Sequence, residues 1–448
     1  MSAVHIIVYM GTRLRIEGGN KLRGTIKIGA AKNALLPVLA ACVLVPGRVV
    51  LREVPDLLDI QNMLHILAGL GVSVRWVRND NQDKGSLVEP HHTARGVDLV
   101  VDSSNMSGTD ACAVEAKAIR GSIFLLGGIL GRFKCARIAY PGGCEIGNRP
   151  IDLHIQGLRD IGVSVREHNG FCICNSRRAR GGVVHLDFPS VGATENLILA
   201  SVTGRNTVRI INAAKEPEIV DLANFLNACG GRVQGAGTST IVIEGVSRLS
   251  GCTYKCIPDR IITGSYLIAV AAVGGEVTLT NTHAAHNESL ITKLTKTGCR
   301  ITCFDDNIHI VRDVAVRLPS LVSIQTSPYP GFPTDLQSQI AVLQARSRGV
   351  SAITENLFES RFRYVPELLK MGAKITVRDR VAIITGTTRL NSAKVTATDL
   401  RGGVALVIAA LAADGATEIS NAEYIYRGHE SIEQDLAGVG ANIIRIDD

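Results

Sequence analysis

The strongest constraint on the fold of this chain is a short motif that recurs six times. The motif is Leu-x-x-x-Gly-small-x-[Val/Ile], and its glycines are Gly71, Gly162, Gly230, Gly298, Gly372 and Gly440. These glycines lie 91, 68, 68, 74 and 68 residues apart, and the longer first interval contains the polar run RNDNQDKGSLVEPHHTARG, which we interpret as an inserted loop. The motif is typical of a helix that ends at a glycine and is followed directly by a strand. The chain is therefore expected to contain six related units.

Each repeat is predicted to contain two further elements. A strand precedes each motif, with the sequences RVVLREV, ARIAYPG, TVRIINAA, EVTLTNTH, SAITENLF and TEISNAEY. A second helix is apolar nearly all round, which is typical of a buried helix. These helices are NALLPVLAACVL, GSIFLLGGIL, ATENLILASVT, ITGSYLIAVAAV, LQSQIAVLQA and GGVALVIAALAA. Six β-α-β units follow from this pattern, and two groups of three would give two similar α/β domains.

The domain boundaries are placed where the groups of three meet. We predict one domain at residues 31–258 and a second made of residues 1–30 plus 259–448. The N-terminal strand RLRIEGG would complete the second domain. Ligands would then bind in the cleft between the domains, where loops from both halves converge.

Composition narrows the possible functions. The 448 residues carry a net charge of +7 without a block of like charges, which favours an anionic small-molecule substrate over nucleic acid. Aromatic residues make up only 4% of the chain, which argues against a platform for stacking bases. The longest apolar run, Ala34 to Pro46, is too short to cross a bilayer, and the N-terminus lacks the features of a signal peptide. Eleven cysteines without disulfide-like clustering or paired CxxC motifs predict a cytoplasmic protein without a zinc site.

Polar residues that open the buried helices are the first candidates for a binding site, because helix N-termini attract anions. They are Lys32 and Asn33, Arg120, Asp335, and Asp399 with Arg401. The loops after the predicted strands supply a second set, which is Cys144 with Arg149, Glu216 with Glu218, Arg361, and Arg427. Guanidinium and ammonium groups at equivalent places suit a ligand with carboxylate or phosphate groups. The alternative for any one arginine is a structural ion pair with a neighbouring acid, such as Arg361 with Glu359.

Cys144 differs in its setting from the other cysteines. It follows two glycines in PGGCEIGNRP, and Arg149 and Arg132 are close enough in sequence to lower the pKa of its thiol. Helix or strand patterns typical of core residues surround Cys42, Cys112, Cys135 and Cys229. The residues alone leave open whether Cys144 is a core residue or a reactive thiol, and His154 lies on a helix as a candidate orienting partner. The chain has no GxSxG and no HExxH motif, so the usual serine and metal hydrolase sites are excluded.

Read together, several segments resemble those of one enzyme family. They are GAAKNALLP, PGGCEIGNRPIDLHIQGL, SVGATEN, AAKEPEIVD, PDRIITGSY, PGFPTDLQSQ, FESRF, ATDLRGG and YRGHE, and they occur in order from about residue 11. The chain resembles the UDP-N-acetylglucosamine 1-carboxyvinyltransferases of the EPSP synthase superfamily, which perform the first committed step of peptidoglycan synthesis. The resemblance implies two inside-out α/β barrel domains, each of three βαβαββ repeats, with the active site in the interdomain cleft.

The resemblance also implies a reaction and roles for the matching residues. The 3-hydroxyl of UDP-N-acetylglucosamine would attack C2 of phosphoenolpyruvate, and addition–elimination would expel phosphate. Cys144 would deliver a proton to C3 from a loop that closes over the substrates, and Asp335 would bind the attacking hydroxyl as a candidate base. The anion-holding set would be Lys32, Arg120, Arg149, Arg401 and Arg427. The remaining substrate contacts would be Asn33, Arg149, Pro150, Ile151, Asp152, Leu153, Ser190, Val191, Gly192, Asp335 and Leu357, with Arg361 and Asp399 in positioning roles.

No cofactor, metal ion, nucleic acid or membrane partner is expected, and the sequence leaves the oligomeric state open.

Two departures from the family pattern bear on the acceptor. Phe188 stands where many members have a lysine, and Leu357 stands where valine or isoleucine is common. Ile262 and Ser360 also depart from the family's PDRxETG and FENRF motifs. The first two departures motivate an alternative, a paralogue that transfers enolpyruvyl to another uridine nucleotide such as UMP.

Overall fold

The computed structural model describes residues 11–78, 96–111, 119–142, 146–147, 150–313 and 317–447. Contacts divide these residues into two compact units. The first unit contains the described residues between 29 and 259, apart from 146–147. The second unit contains residues 11–28, 146–147 and the described residues from 260 onward. No helix among the described residues is long and apolar enough to cross a membrane.

The helices fall in two groups along the chain. Those of the first unit are α1 (Lys32–Cys42), α2 (Leu58–Gly69), α3 (Phe124–Phe133), α4 (Asp152–Asp160), α5 (Val191–Ser201) and α6 (Pro217–Ala228). Those of the second unit are α7 (Arg260–Val273), α8 (Glu288–Lys296), α9 (Gln337–Arg346), α10 (Val365–Lys370), α11 (Leu400–Leu411), α12 (Glu423–Tyr426) and α13 (Ile432–Ala437). Short 3-10 helices, Arg120–Ile123, Ala284–Asn287 and Thr334–Leu336, lead into α3, α8 and α9.

The strands are short, and each has two to six residues. In chain order the first half are β1 (Arg13–Glu17), β2 (Leu22–Lys27), β3 (Arg48–Leu51), β4 (Ser73–Val77), β5 (Asp98–Asp102), β6 (Asp110–Ala111), β7 (Cys135–Ala139), β8 (Ser164–His168), β9 (Phe171–Asn175), β10 (Gly182–His185), β11 (Thr207–Ile211), β12 (Val233–Gln234) and β13 (Thr240–Glu244). The second half are β14 (Thr253–Tyr254), β15 (Gly275–Thr280), β16 (Arg300–Phe304), β17 (Asn307–Arg312), β18 (Ser323–Gln325), β19 (Val350–Thr354), β20 (Lys374–Arg378), β21 (Val381–Thr385), β22 (Leu390–Asn391), β23 (Lys394–Thr396), β24 (Ala413–Asp414), β25 (Ala416–Ser420) and β26 (Asn442–Ile446).

The described residues form six four-stranded sheets with one shared pattern. The first unit has the orders β14-β3-β5-β4, β6-β7-β9-β8 and β10-β11-β13-β12. The second unit has β2-β15-β17-β16, β18-β19-β21-β20 and β23-β25-β1-β26, together with the small pair β22-β24. In all six the first two strands are parallel and the remaining pairs are antiparallel. The N-terminal strand β1 lies between β25 and β26, so the sixth sheet is closed by the first strand of the chain.

The repeated motif forms the predicted joint between a helix and a strand. All six of its glycines have a left-handed backbone, with φ between 84° and 98°. Residues other than glycine rarely adopt this backbone conformation, which explains why a glycine follows each of these helices. The predicted strands upstream of the motif are β3, β7, β11, β15, β19 and β25, and the predicted buried helices are α1, α3, α5, α7, α9 and α11. The run predicted as an inserted loop lies, except for its ends, outside the described residues.

The three buried helices of the first unit pack in parallel. A side chain on Gly128 in α3 would lie 2.6 Å from the carbonyl oxygen of Ala40 in α1, so glycine is needed for this close approach. Neighbouring pairs keep the same direction, because Gly121 meets Leu36 and Gly131 meets Leu44. Between α3 and α5, Gly127 packs on Asn196 and Gly131 packs on Thr203. The N-termini of α1, α3 and α5 therefore lie at one end of the first unit, and their C-termini lie at the other.

The second unit is built on the same plan around α7, α9 and α11. Nearly all residues of these helices are buried, so they form the centre of a separate apolar core. Gly264 near the start of α7 packs on Leu336 just before α9. The Ser338 hydroxyl at the start of α9 donates to the carbonyl oxygen of Arg401 at 2.8 Å. The N-termini of all three helices therefore meet at one end of this unit.

Candidate active site

The N-terminal end of the first unit carries the predicted residues of its three buried helices. Lys32 and Asn33 open α1, and Ser190 caps α5 by accepting a hydrogen bond from the Ala193 N–H at 3.3 Å. Arg120 begins the 3-10 helix that precedes α3. The α-helix itself begins one turn later than the sequence predicted, at Phe124. Each helix N-terminus contributes about half a positive charge. Together with Lys32 and Arg120, this end of the unit is suited to binding an anion.

Lys32 is held by a buried partner that the sequence did not indicate. Its Nζ donates to a carboxylate oxygen of Asp59 at 2.8 Å, and both side chains are buried. Its backbone N–H donates to Asp259 at 3.2 Å. A lysine ammonium has three N–H donors, so two of them are left for a ligand. Asp259 lies in the PDR segment, but no local pattern links Asp59 to a lysine 27 residues earlier.

The predicted nucleotide-contacting segment begins beside Arg120. The Arg120 guanidinium donates to the carbonyl oxygen of Pro150 at 3.4 Å. Ile151 is buried at the N-cap of α4, and Asp152 is exposed in its first turn. Leu153 is half-buried. This segment therefore presents Pro150 and Asp152 to solvent while Ile151 anchors it.

His154 lies behind the Ser190–Gly192 segment. Its Nδ1 is 2.8 Å from the side-chain nitrogen of Asn196, and the Asn196 oxygen accepts from the Gly127 N–H at 2.8 Å. A side chain on Gly192 would lie 3.0 Å from the His154 ring. The histidine is thus fixed between α3, α4 and α5, and its role as an orienting partner in the site stays a prediction.

Cys144 and Arg149 lie outside the described residues, whereas Ile146 and Gly147 between them are described. The Ser360 N–H donates to the carbonyl oxygen of Ile146 at 3.0 Å. Gly147 has φ 141°, and a side chain on it would lie 2.6 Å from the Glu359 carboxylate. Ile146 and Gly147 of PGGCEIGNRP therefore contact the FESRF segment of the same unit.

Asp335 is held between two buried arginines in the second unit. One carboxylate oxygen accepts from Arg361 at 2.6 Å, and the other accepts from Arg401 at 3.3 Å. The arginine side chains are 3% and 6% exposed, whereas Asp335 is 28% exposed. Arg361 thus pairs with another candidate site residue, and its alternative pairing with Glu359 is not the ion pair found. We call this group the Asp335 clamp.

Asp399 and Arg427 lie at the same end of the second unit as the Asp335 clamp. The Asp399 carboxylate caps α11 by accepting from the backbone N–H groups of Arg401 and Gly402, both at 3.0 Å. This capping bond fixes the first turn of α11, and with it Arg401. Arg427 follows α12 and is half-buried, and a side chain on the next residue, Gly428, would touch Leu400 at the start of α11. Asp399 therefore caps the helix that carries Arg401, and its role towards a substrate stays a prediction.

Glu355 is a buried carboxylate that the sequence analysis missed. One of its oxygens accepts from the Thr326 hydroxyl and the Leu357 N–H, both at 2.9 Å, and the other accepts from the Thr334 hydroxyl at 2.9 Å. It joins the segment that carries Leu357 to the residue next to Asp335. The acid in the predicted strand SAITENLF was the available signal.

Other cysteines of the first unit have the surroundings of core residues. Cys42, Cys229 and Cys256 are buried, and burial raises the pKa of each thiol. Such thiols stay protonated and unreactive at neutral pH. The core prediction is confirmed for Cys42 and Cys229 and is wrong for Cys135, which is only half-buried at the start of β7, whereas Cys112 lies outside the described residues. Within the described ranges, no group of histidine, cysteine and carboxylate side chains could hold a metal ion.

Comparison with known proteins places these residues in a family. The model of the EPSP synthase (3-phosphoshikimate 1-carboxyvinyltransferase) family matches residues 16–436, so the chain belongs to this family. A UDP-N-acetylglucosamine 1-carboxyvinyltransferase 2 of Caldanaerobacter subterraneus is 46% identical over 97% of this chain and 99% of the relative. The Bacillus subtilis protein of the same name is 41% identical over 97% of this chain and 96% of its own length.

Solved structures share the fold at lower identity. The enolpyruvyl transferase NikO from Streptomyces tendae has a TM-score of 0.83 and 22% identity, covering 98% of this chain and all of its own. An EPSP synthase from Acinetobacter baumannii has a TM-score of 0.70 and 16% identity, covering 97% of this chain and all of its own. At these identities the comparison supports the enolpyruvyl transferase fold with mixed α/β content. The family assignment predicted from the motifs is confirmed.

Proposed function

We propose that this chain transfers the enolpyruvyl group of phosphoenolpyruvate to the 3-hydroxyl of UDP-N-acetylglucosamine and releases phosphate, the first committed step of peptidoglycan synthesis. Near full-length relatives at 41–46% identity bear the name of this activity. The observation in the structure that carries the proposal is the Asp335 clamp. It offers a partly exposed carboxylate in a fixed orientation beside two guanidinium groups.

The Asp335 clamp suits the first step of this reaction. The Asp335 carboxylate would accept the proton of the attacking hydroxyl as the new C–O bond forms at C2. Arg401 and Arg361 hold both carboxylate oxygens, so the hydroxyl would meet an acceptor that does not have to reorganise. Remaining N–H donors of Arg401 would face the carboxylate or phosphate of phosphoenolpyruvate. Lys32, Arg120, Arg149 and Arg427 would supply the other cations, with Lys32 and Arg120 at helix N-termini of the first unit.

Proton transfer at C3 is assigned to Cys144 on the basis of the family resemblance. The thiol would protonate C3 while the hydroxyl adds to C2, giving a tetrahedral intermediate. Loss of a C3 proton and departure of phosphate from C2 would then restore the double bond in the product. Ser360 and Glu359 contact Ile146 and Gly147, which lie two and three residues beyond this cysteine, so the FESRF segment would help to position its loop.

Nucleotide binding is assigned to the segments beside Arg120 and Ser190. Pro150 to Leu153 and Ser190 to Gly192 would contact uridine and diphosphate, and Asn33 and Leu357 would contact the sugar. The Ser190 cap leaves the N-terminus of α5 at the unit's cationic end, where a diphosphate is favoured. The segment Arg149–Leu153 begins at a residue outside the described ranges, so its first contact rests on the resemblance alone.

We further infer that each unit is an inside-out α/β barrel of three βαβαββ repeats and that the enzyme is cytoplasmic. Three buried helices and three sheets of one pattern in each unit support the barrel assignment. The small-molecule substrates would be the partners, without nucleic acid or membrane. The cytoplasmic location stays a prediction from cysteine usage.

A second candidate acceptor is another uridine nucleotide such as UMP. Phe188, 45% exposed, stands two residues before the Ser190 cap, where many relatives are expected to carry a lysine. Loss of a cation there would remove one phosphate or base contact. A smaller uridine nucleotide depends less on such a contact.

Phosphate release in the presence of phosphoenolpyruvate and each acceptor tests the proposal. Release is expected with UDP-N-acetylglucosamine and is expected to be lost in Asp335→Ala. Asp379→Asn, an exposed aspartate of the β20–β21 turn, is the matched control and should retain the parent rate. Release with UMP and none with the amino sugar would select the second candidate instead.

A further inference from the structure

A basic cavity lies at one end of the first unit, opposite the end where the N-termini of α1, α3 and α5 lie. Its volume is about 690 Å³, and its lining includes Leu44, Gly131 and Thr203, where α1, α3 and α5 end. Since α1 has 11 residues, the two ends of these helices are about 16 Å apart. The cavity therefore shares no residue with the substrate set at the helix N-termini.

The lining of this cavity contains basic side chains and no acidic ones. Five of its lining residues are basic, namely Arg132, Lys134, Arg177, Arg205 and Arg248. None of its lining residues is aspartate or glutamate. A cavity of 300–1,000 Å³ is the usual size for a small-molecule site. Its charge predicts that the molecule is an anion.

Two of the five cations already serve the helix ends. Lys134 Nζ donates to the carbonyl oxygens of Gly131 and Thr203 at 2.7 and 2.8 Å. Arg132 donates to the carbonyl oxygen of Val43 at 2.9 Å and to the Ser103 hydroxyl at 2.7 Å. Three helix C-termini contribute about −1.5 charges, which these two cations offset. Burial lowers the pKa of both side chains, since water is partly withdrawn from their charges.

The other three cations are in excess of what the fold uses. Arg177, Arg205 and Arg248 are exposed at the cavity, and none forms an ion pair with a carboxylate in the described part of the chain. Three guanidinium groups around one concavity repel each other unless an anion lies between them. Ser201, 8% exposed, also lines the cavity, and its hydroxyl has no hydrogen-bond partner within the described residues. The cavity thus holds about three surplus positive charges, and a buried hydroxyl without a partner lies in its wall.

We propose that this cavity is a second binding site, which takes a small molecule with an oligophosphate group. Guanidinium groups bind phosphate oxygens in pairs, and a di- or triphosphate matches the surplus charge. The remaining volume would accommodate a nucleoside attached to that group. A concave site with few aromatic residues suits such a molecule better than a nucleic acid strand, which is bound by a groove with stacking side chains. The site is independent of the proposed enzymatic activity.

Calorimetric titration with sodium tripolyphosphate, ATP and adenosine tests the proposal. The cavity variant is Arg177→Ser/Arg205→Ser/Arg248→Ser, which alters exposed side chains and leaves the helix-end contacts of Arg132 and Lys134 in place. Its matched control is Arg75→Ser/Arg166→Ser/Arg209→Ser, which removes the same charge from exposed strand positions of the same unit away from the cavity. Arg120→Ser reports on anion binding at the helix N-termini.

We expect tripolyphosphate and ATP to bind the parent, and the cavity variant to bind them about ten-fold or more weakly. The control and Arg120→Ser should keep the parent affinity. Tighter binding of ATP would show that the cavity takes a nucleotide, and equal binding would show that it takes the phosphates alone. The proposal is overturned if neither anion binds, if adenosine binds as well as ATP, or if the control loses affinity equally. Binding of an RNA oligomer without binding of either small anion would overturn it too.

Discussion

Replacing Asp335 by asparagine tests the Asp335 clamp most sharply. Asparagine keeps the shape and one oxygen, which would still accept from Arg361. Its amide nitrogen would face the Arg401 guanidinium, and two donors cannot pair. Both arginines would then keep their charges at 3% and 6% exposure without a shared counter-ion.

The size of this effect follows from the burial of the pair. Breaking a buried ion pair by removing one partner costs about 3–5 kcal/mol of folding stability. Because Asp335 is 28% exposed, we take the lower end of this range, about 3 kcal/mol. For a unit of this size, each kcal/mol lowers Tm by about 2–4 °C, so the unfolding transition of the second unit should fall by about 6–12 °C. Loss of the acceptor should also lower phosphate release by at least about 10²-fold.

Scanning calorimetry and the phosphate-release assay measure both effects on the same preparation. Asp379→Asn removes a charge from an exposed turn of the same unit and should change neither Tm nor the rate. An Asp335→Asn protein with the parent's Tm and rate would refute the reasoning. A lower Tm with an unchanged rate would leave Asp335 a structural residue and remove it from the chemistry.

Three further predictions concern single residues. Cys144→Ser should lose most turnover while binding of the uridine nucleotide, measured by calorimetry, survives; near-full turnover would contradict the proton-transfer role. Phe188→Lys should tighten binding of UDP-N-acetylglucosamine, and unchanged affinity would show that position 188 makes no nucleotide contact. Burial, with Glu218 and Glu216 nearby, raises the pKa of Glu195, so the folded state holds a proton that the unfolded state releases above about pH 4.3. The free energy of unfolding should therefore fall as pH rises, by at most about 1.4 kcal/mol per pH unit. Chemical denaturation at about pH 5 and about pH 8 should show a smaller fall for Glu195→Gln than for the parent. Equal pH dependence of the two proteins would contradict this.

The six repeated units could be predicted from the sequence because their signals come from residues close together in the chain. A helix that ends at a left-handed glycine is determined by adjacent residues, and all six such glycines were found from their spacing. The buried helices were found because their side chains are apolar on every face. The strand parallel to the second strand of each sheet was missed, since segments as short as β6 and β14 have only two paired residues and no pattern of their own.

The partners of the site residues could not be predicted in the same way. Lys32 and Asp59 are 27 residues apart, and Arg361 and Asp335 are 26 apart. Such pairs depend on how helices meet, so a neighbour in sequence is a poor guide, as the pairing of Arg361 with Asp335 shows. Glu355 was missed for the same reason, because its hydroxyl and N–H partners converge only after the second unit folds. The candidate residues themselves were found because their motifs resemble those of a known family.

The most direct test of the central claim is the structure of the product. The parent enzyme is incubated with phosphoenolpyruvate and UDP-N-acetylglucosamine, and the nucleotide sugar is purified and analysed by NMR. We predict an enolpyruvyl ether on the 3-oxygen of the amino sugar, formed in equal amount to the phosphate released. Recovery of unmodified UDP-N-acetylglucosamine, or an enolpyruvyl group on a different oxygen, would contradict it.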